Sequence, residues 1–219
     1  MQIRVITVER EYGSGGAGIA QALAERLGWK LWDHGLTAEI ARVANVDPQA
    51  AQRCDERLDT WLYRTFKVFA RGTGERALPL GDSDSTAFDA DRMVETLQKV
   101  IEDVASRGSC VIVGRGSVYF LRNRPDAFHV FVYAPVAEKI RRLGSIGKSE
   151  REALRLIEEI DRERGSFIRH YFRVEWPQRS LYNLMINSKS GDEYVVEMIL
   201  RHIAALEKRG ESGPCPLDR

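Results

Sequence analysis

A chain of 219 residues, 43% hydrophobic and 30% charged, has the composition of a folded globular protein and is long enough to bury a core without disulfide staples. Thirty-three Lys and Arg against 32 Asp and Glu leave a net charge of +1, which argues against a protein held mainly by nucleic-acid phosphates. Cys54, Cys110 and Cys215 show no CxxC or Cys/His ligand spacing, the N-terminus MQIRVITVERE lacks an h-region, and no stretch approaches about 18 apolar residues, so zinc-finger, secreted and membrane-spanning readings drop out.

Ile3 to Val8 is a β-branched run that turns polar at Glu9 and predicts a buried strand. After a glycine cluster, Ile19, Leu23 and Leu27 fall at helical spacing before Gly28, a helix stop. Lys30 to Asp33 reads as a short strand, and Asp47-Pro48 caps a helix running to about Ala70. Within that helix Trp61, Leu62, Tyr63, Phe66 and Phe69 form an apolar stripe, which suits core, an acceptor-base pocket or a dimer face. Residues 72–87 carry no periodicity and read as a functional loop or as a disordered stretch. Then follow a helix from Asp89 to Ser106, strands at Cys110–Val113 and Ala127–Tyr133, and a helix at Glu138–Leu143. A long charge-dense helix at Glu150–Phe172, a strand at Leu181–Ile186, a helix at Asp192–Glu207 and a loose tail over 210–219 complete the chain. Short apolar strands alternating with helices predict one α/β domain over 1–209, with a parallel sheet covered on both faces.

Gly13, Gly15, Gly16 and Gly18 stand between the first strand and the first helix. Glycine there lets backbone N–H groups close on an anion at the positive end of the helix dipole, whereas four glycines used only to turn the chain would cost backbone entropy. Two phosphate-binding designs use such a turn. Gly13, Gly15 and Gly18 spell GxGxxG, with Asp33 20 residues after Gly13, as in a dinucleotide-binding oxidoreductase. The four residues between Val8 and Gly13 favour instead a longer loop wrapped around a triphosphate.

The stretches ITVEREYGSGGAGIAQALAERLGWKLWD, CVIVGRGSVYFLRNRPDAFHVFVYAPVAEKIRRL, EIDRERGSFIRHYF and LYNLMINS together resemble the cytidylate kinase-like family of P-loop proteins, in the family's order and over nearly the whole chain. The resemblance implies a P-loop NTPase-like three-layer α/β fold with an Arg-rich helical lid at about 145–175. It implies transfer of the ATP γ-phosphoryl group to CMP or a related nucleoside monophosphate, in the cytoplasm, with Mg²⁺ brought by the nucleotide and without nucleic-acid or membrane partners. A homo-oligomer stays open. Carried onto this chain, Arg10 to Gly18, including Gly13, Ser14, Gly15, Gly16, Ala17 and Gly18, would form the phosphate loop. Asp33, Arg115 and Gly116 would face the acceptor, Arg162, Arg164 and Arg169 would be lid arginines, and Asn187 and Ser188 would lie near a nucleotide.

This chain departs from that pattern where the chemistry is concentrated. Gly16 stands where a Walker lysine would be, Ala17 and Gly18 follow without a hydroxyl, and Val113 and Gly116 replace acids beside the second motif's Gly-Arg. Arg10 is the nearest basic residue to replace the lysine, its alternative being a surface arginine paired with Glu9 or Glu11. Ser14 could touch Mg²⁺ or satisfy loop backbone, and Asp33 could equally cap the next helix. With the lysine lost, a catalytically weak or inactive nucleotide sensor on the same fold is the alternative to the kinase, and metal ligands are unknown. Arg155, Arg162 and Arg169 repeat every seven residues on one side of the long helix, a pattern that also suits a salt-bridged solvent face. His34, His129, His170 and His202 show no metal-ligand spacing, and His129, alternating with apolar neighbours, reads as structural.

Overall fold

The computed structural model describes residues 2–33, 36, 39 and 90–209. The helix expected over 47–70 with its aromatic stripe, the 72–87 segment, Cys54, Cys215, His34 and the 210–219 tail lie outside them. Five strands form one parallel sheet: β1 (Val5–Arg10), β2 (Lys30–Trp32), β3 (Cys110–Val113), β4 (Ala127–Tyr133) and β5 (Leu184–Asn187), in the order β2-β3-β1-β4-β5. Around it lie α1 (Gly16–Leu27), α2 (Ala90–Arg107), α3 (Ser117–Phe120), α4 (Val136–Ser145), α5 (Glu150–Phe172) and α6 (Asp192–Arg209).

Parallel strands buried on both faces carry apolar side chains at nearly every position, and alternate residues then feed opposite layers. Ile6, Val8, Val111, Val113, Phe128, Val130 and Val132 join Ile19 and Leu23 of α1 and Val195 and Ile199 of α6 in one core. Val5, Ile112 and Phe131 face the other way, against Leu97, Ile101 and Val104 of α2 and Phe167 and Ile168 of α5. A third, small cluster of Leu143, Ala153 and Ile157 joins α4 to α5 near Tyr12. Gly28 ends α1 in the left-handed conformation, its N–H bonding back to Ala24 and Glu25 carbonyls, as the sequence predicts.

Several boundaries differ from the sequence reading. β1 continues through Glu9 and Arg10, both buried, because its last register partners on β4, Phe131 and Val132, carry the ladder past the apolar run. β5 begins at Leu184, since residues 179–181 turn as a 3-10 helix, and α4 is longer at both ends than its apolar spacing suggests. The strand order also removes the oxidoreductase reading. A dinucleotide fold seats the strand bearing the ribose-binding acid directly beside β1, whereas β3 separates β2 and Asp33 from β1 here. Among the described residues no helix is long and apolar enough to cross a membrane.

Candidate functional site: a glycine loop clamped from outside

The loop runs from the end of β1 to the first turn of α1. Gly13 (φ 77°) and Gly15 (φ 81°) adopt left-handed backbone, which only glycine takes at little cost. Ser14 Oγ donates to the Glu11 carbonyl at 2.8 Å, so its hydroxyl closes the turn. The Ser14 carbonyl in turn accepts the buried Ser188 hydroxyl at 2.6 Å, which ties the end of β5 to the loop. Gly15 caps α1 without a side-chain bond, no acid stands in the first turn, and the Ile19 N–H to Gly15 carbonyl bond, 3.1 Å, is the first of the helix. The amides of Gly16, Ala17 and Gly18 therefore form the positive, donor-rich end of α1, with Ala17 and Gly18 at the surface.

Cations surround this loop although the loop proper has none. Arg10 is buried, and a Cβ on Gly16 would stand 2.5 Å from Arg10 Cβ. The base of the Arg10 side chain thus fills the space in which a lysine at 16 would start. Its guanidinium reaches across to Gly114, where it leaves no room for a Cβ. Arg142 lies against Gly15 in the same way. It forks onto Asp192 at 2.6 and 2.9 Å, donates to the Ser188 carbonyl at 3.1 Å and bonds Glu138 at 2.9 Å. Hydrogen bonds from Arg141 and then Arg142 hold the Glu138 carboxyl down at about 2.

Beneath the loop, Lys139 passes with its Cβ 3.1 Å from the place of a Gly13 Cβ and ends on Glu11 at 2.7 Å and Asp161 at 3.6 Å. Asp161 also accepts the Tyr12 N–H at 2.8 Å and Arg164 at 3.2 Å, and Arg164 donates to the Arg10 carbonyl at 2.8 Å. Burial pushes the Asp161 carboxyl above the ordinary range, against the pull of Arg164, the Tyr12 N–H and Lys139.

At the end of β3, Gly114 (φ 66°), Arg115 (φ 59°) and Gly116 (φ 68°) are three successive left-handed residues. For arginine that conformation costs on the order of 1–3 kcal/mol, a strain that clusters at ligand sites. It turns the buried Arg115 so that its guanidinium donates to the Asp33 carbonyl at 3.2 Å. Asp33 and Arg115 are thereby brought together, through a main-chain oxygen. A Cβ on Gly116 would sit 3.2 Å from the Phe172 ring, which stacks on Tyr119 with centroids 4.6 Å apart. A side chain at 116 would crowd that ring and strain the left-handed backbone. Nearby Tyr182 is buried beside Glu9, and burial first, then that carboxylate, push its phenol far above its ordinary value.

The three expected lid arginines part company. Arg164 is buried in the clamp described above, whereas Arg162 and Arg169 lie on the solvent face of α5, with Arg169 forked to Glu175 at 2.8 and 3.1 Å. Asn187 accepts the Lys189 N–H at 2.9 Å and so caps the 3-10 turn after β5. Lys139, Arg142 and Asp161 all touch the loop, and sequence reasoning passed over them. One signal was available: Lys139 shares a helix face with Leu143 four residues on, and a lysine on a buried face asks for a reason. For Mg²⁺ the described residues offer little. Ser14 is committed to the backbone, position 17 has no hydroxyl, and no group of three metal-binding side chains exists among the described residues. An ion brought by a nucleotide would be held there by its phosphates and water.

A parallel sheet in this order, with a glycine loop leading from the central strand into a helix N-terminus, defines the class of P-loop nucleotide-binding phosphotransferases. Residues 5–190 match the model of the cytidylate kinase-like family, and the chain belongs to that family. A cytidylate kinase of Methanosarcina mazei is 24% identical over 151 residues, covering 67% of this chain and 83% of that protein. Among solved structures, an uncharacterized protein from Eubacterium ventriosum superposes with a TM-score of 0.65 at 21% identity, covering 93% of this chain and 99% of its own. A gluconokinase from Sinorhizobium meliloti gives 0.53 at 15% identity, covering 95% of this chain and 97% of its own.

Proposed function

We propose that this protein transfers the γ-phosphoryl group of ATP to CMP or a related nucleoside monophosphate, in the cytoplasm, as one domain over 1–209. The observation that carries this reading is Arg10, whose side chain runs from Gly16 of the glycine loop to Gly114 of the arginine turn and so makes the two one site. The amides of Gly13 to Gly18 hold the donor phosphates, with Arg10 neutralising charge at the loop. Arg115 binds the acceptor's phosphate beside Asp33. Asn187 and Ser188 lie on the nucleotide side, and the 145–175 segment closes with Arg162 and Arg169 outward-facing until a triphosphate is present. Catalysis is by positioning and charge neutralisation, with Mg²⁺ carried by the nucleotide.

A second reading, nucleotide sensing without turnover, has its own support: no lysine at 16, no hydroxyl at 17, and an aromatic ring where an acid at 116 would stand. A thermal-melt panel with Mg-ATP and each monophosphate, followed by coupled ADP release, separates the two. Saturating ligand raises Tm by several degrees, since binding at 100 times Kd adds about 2.7 kcal/mol. The kinase reading requires turnover with an acceptor that shifts the melt, and its loss in Arg115→Ala. Shifts without turnover on the full panel leave the sensor, and no shift with any nucleotide ends both.

A further inference from the structure

We propose that Lys139 is the cation this chain sets against the donor's terminal phosphates, and that Glu11 occupies it until they arrive. The inference rests on the phosphotransferase reading and names the side chain that replaces the loop lysine. Lys139 is only 5% exposed, on the first turn of α4 directly beneath Gly13. Packing does not call for a lysine there. Leu143, on the same face, joins Ala153 and Ile157 in an apolar cluster that an aliphatic residue at 139 would extend. A buried ammonium must be paired, and replacing such an ion network by well-packed apolar groups is often neutral or stabilising, so the network is weak evidence of a stabilising role and invites a functional one.

The two carboxylates on Lys139 are not equivalent. Asp161 is fixed from three sides, by the Tyr12 N–H, Arg164 and Lys139 itself. Glu11 belongs to the loop, reaches Lys139 at 2.7 Å and the Ala134 N–H at 3.3 Å, and has 28% of its side chain exposed against 17% for Asp161. Of the two it is the one that can swing to water. Phosphoryl oxygens entering the loop repel Glu11 and take its place on Nζ, so the loop's own carboxylate acts as a placeholder anion. Of the neighbouring cations, Arg142 forks onto Asp192, Arg164 holds the Arg10 carbonyl, and the Arg10 guanidinium reaches across to Gly114. A lysine delivered from α4 also explains why residue 16 can be glycine, leaving its space to Arg10.

The test is calorimetric titration of the full chain with Mg-AMP-PNP and Mg-ADP. Lys139→Met is expected to weaken Mg-AMP-PNP by about 10–100-fold, the value of a charge-assisted phosphate contact, and Mg-ADP by clearly less. Lys139→Arg should recover most of that loss. Glu11→Gln should tighten Mg-AMP-PNP severalfold, and the gain should shrink in the Lys139→Met background. A folded Lys139→Met that binds both nucleotides like the wild type, or loses both equally, overturns the proposal, because an equal loss is what a structural role gives. Should Lys139→Met not fold, Glu11→Gln decides: weaker or unchanged Mg-AMP-PNP binding sinks the placeholder. A wild type that binds neither nucleotide is a different result, in which the phosphotransferase reading itself fails and takes this one with it.

Discussion

Helix α5 carries arginines on two faces, and they have opposite surroundings. On the outer face Arg155 pairs with Glu159 and Arg169 with Glu175, each ion pair in open water, and Arg162 is exposed beside them. On the inner face Arg164 is 3% exposed and, with Asp161, bonds the main chain of the glycine loop at Arg10 and Tyr12. Exposed pairs gain little, since water screens them and two long side chains must be held still. The inner pair has lost its water, so each bond it makes has to be made. A repeat of charge every seven residues therefore marks the solvated stripe, and the arginine two positions off that stripe is the one built into the site.

Arg164→Ala attacks the contrast where it is greatest. It strands Asp161 beside Lys139 and leaves the Arg10 carbonyl without its donor, and breaking a buried pair in this way costs about 3–5 kcal/mol. Urea unfolding should show a lower midpoint at unchanged slope. A loss under about 1 kcal/mol, the range of an exposed pair, would put the two faces on the same footing.

His129 extends the same lesson to the sheet. Its Nδ1 meets the Thr7 hydroxyl at 2.7 Å, and burial lowers its pKa from 6.5 to about 4 against the influence of the Leu121 main chain. The unfolded chain takes up a proton below pH 6.5, but the folded one resists until about pH 4, so stability is whole above 6.5 and drains as the pH falls through that window. From pH 7 to 5 the loss should be about 2 kcal/mol, and His129→Gln should flatten that part of the curve. An equal slope in both proteins would remove the imidazole as its source.

The legible parts of the fold were those written in neighbouring residues. The β-branched run Cys110–Val113 closed by Gly114, and the Ile19, Leu23, Leu27 spacing closed by Gly28, each define an element without outside help. The glycine loop was legible for the same reason. Its clamp was not, because Lys139, Arg142 and Asp161 come from two later helices and meet Glu11 to Gly15 only through the folded sheet. Even Glu9 and Arg10 misled, since charged residues normally end a buried strand, whereas these two are held inside it where the strand delivers the site.

The outer face yields the smallest effect on stability and the sharpest separation of roles. Arg162→Ala and Arg169→Ala should leave Tm within about 1 °C of the wild type, because water already satisfies the first and screens the second from Glu175. If that face closes over the donor, turnover should nonetheless fall by about 10³, the lower value for a cation positioned on a transferring phosphoryl group. Unchanged turnover and unchanged ATP affinity in both variants would leave α5 with one functional face, the inner one, acting on the nucleotide only through the loop it holds.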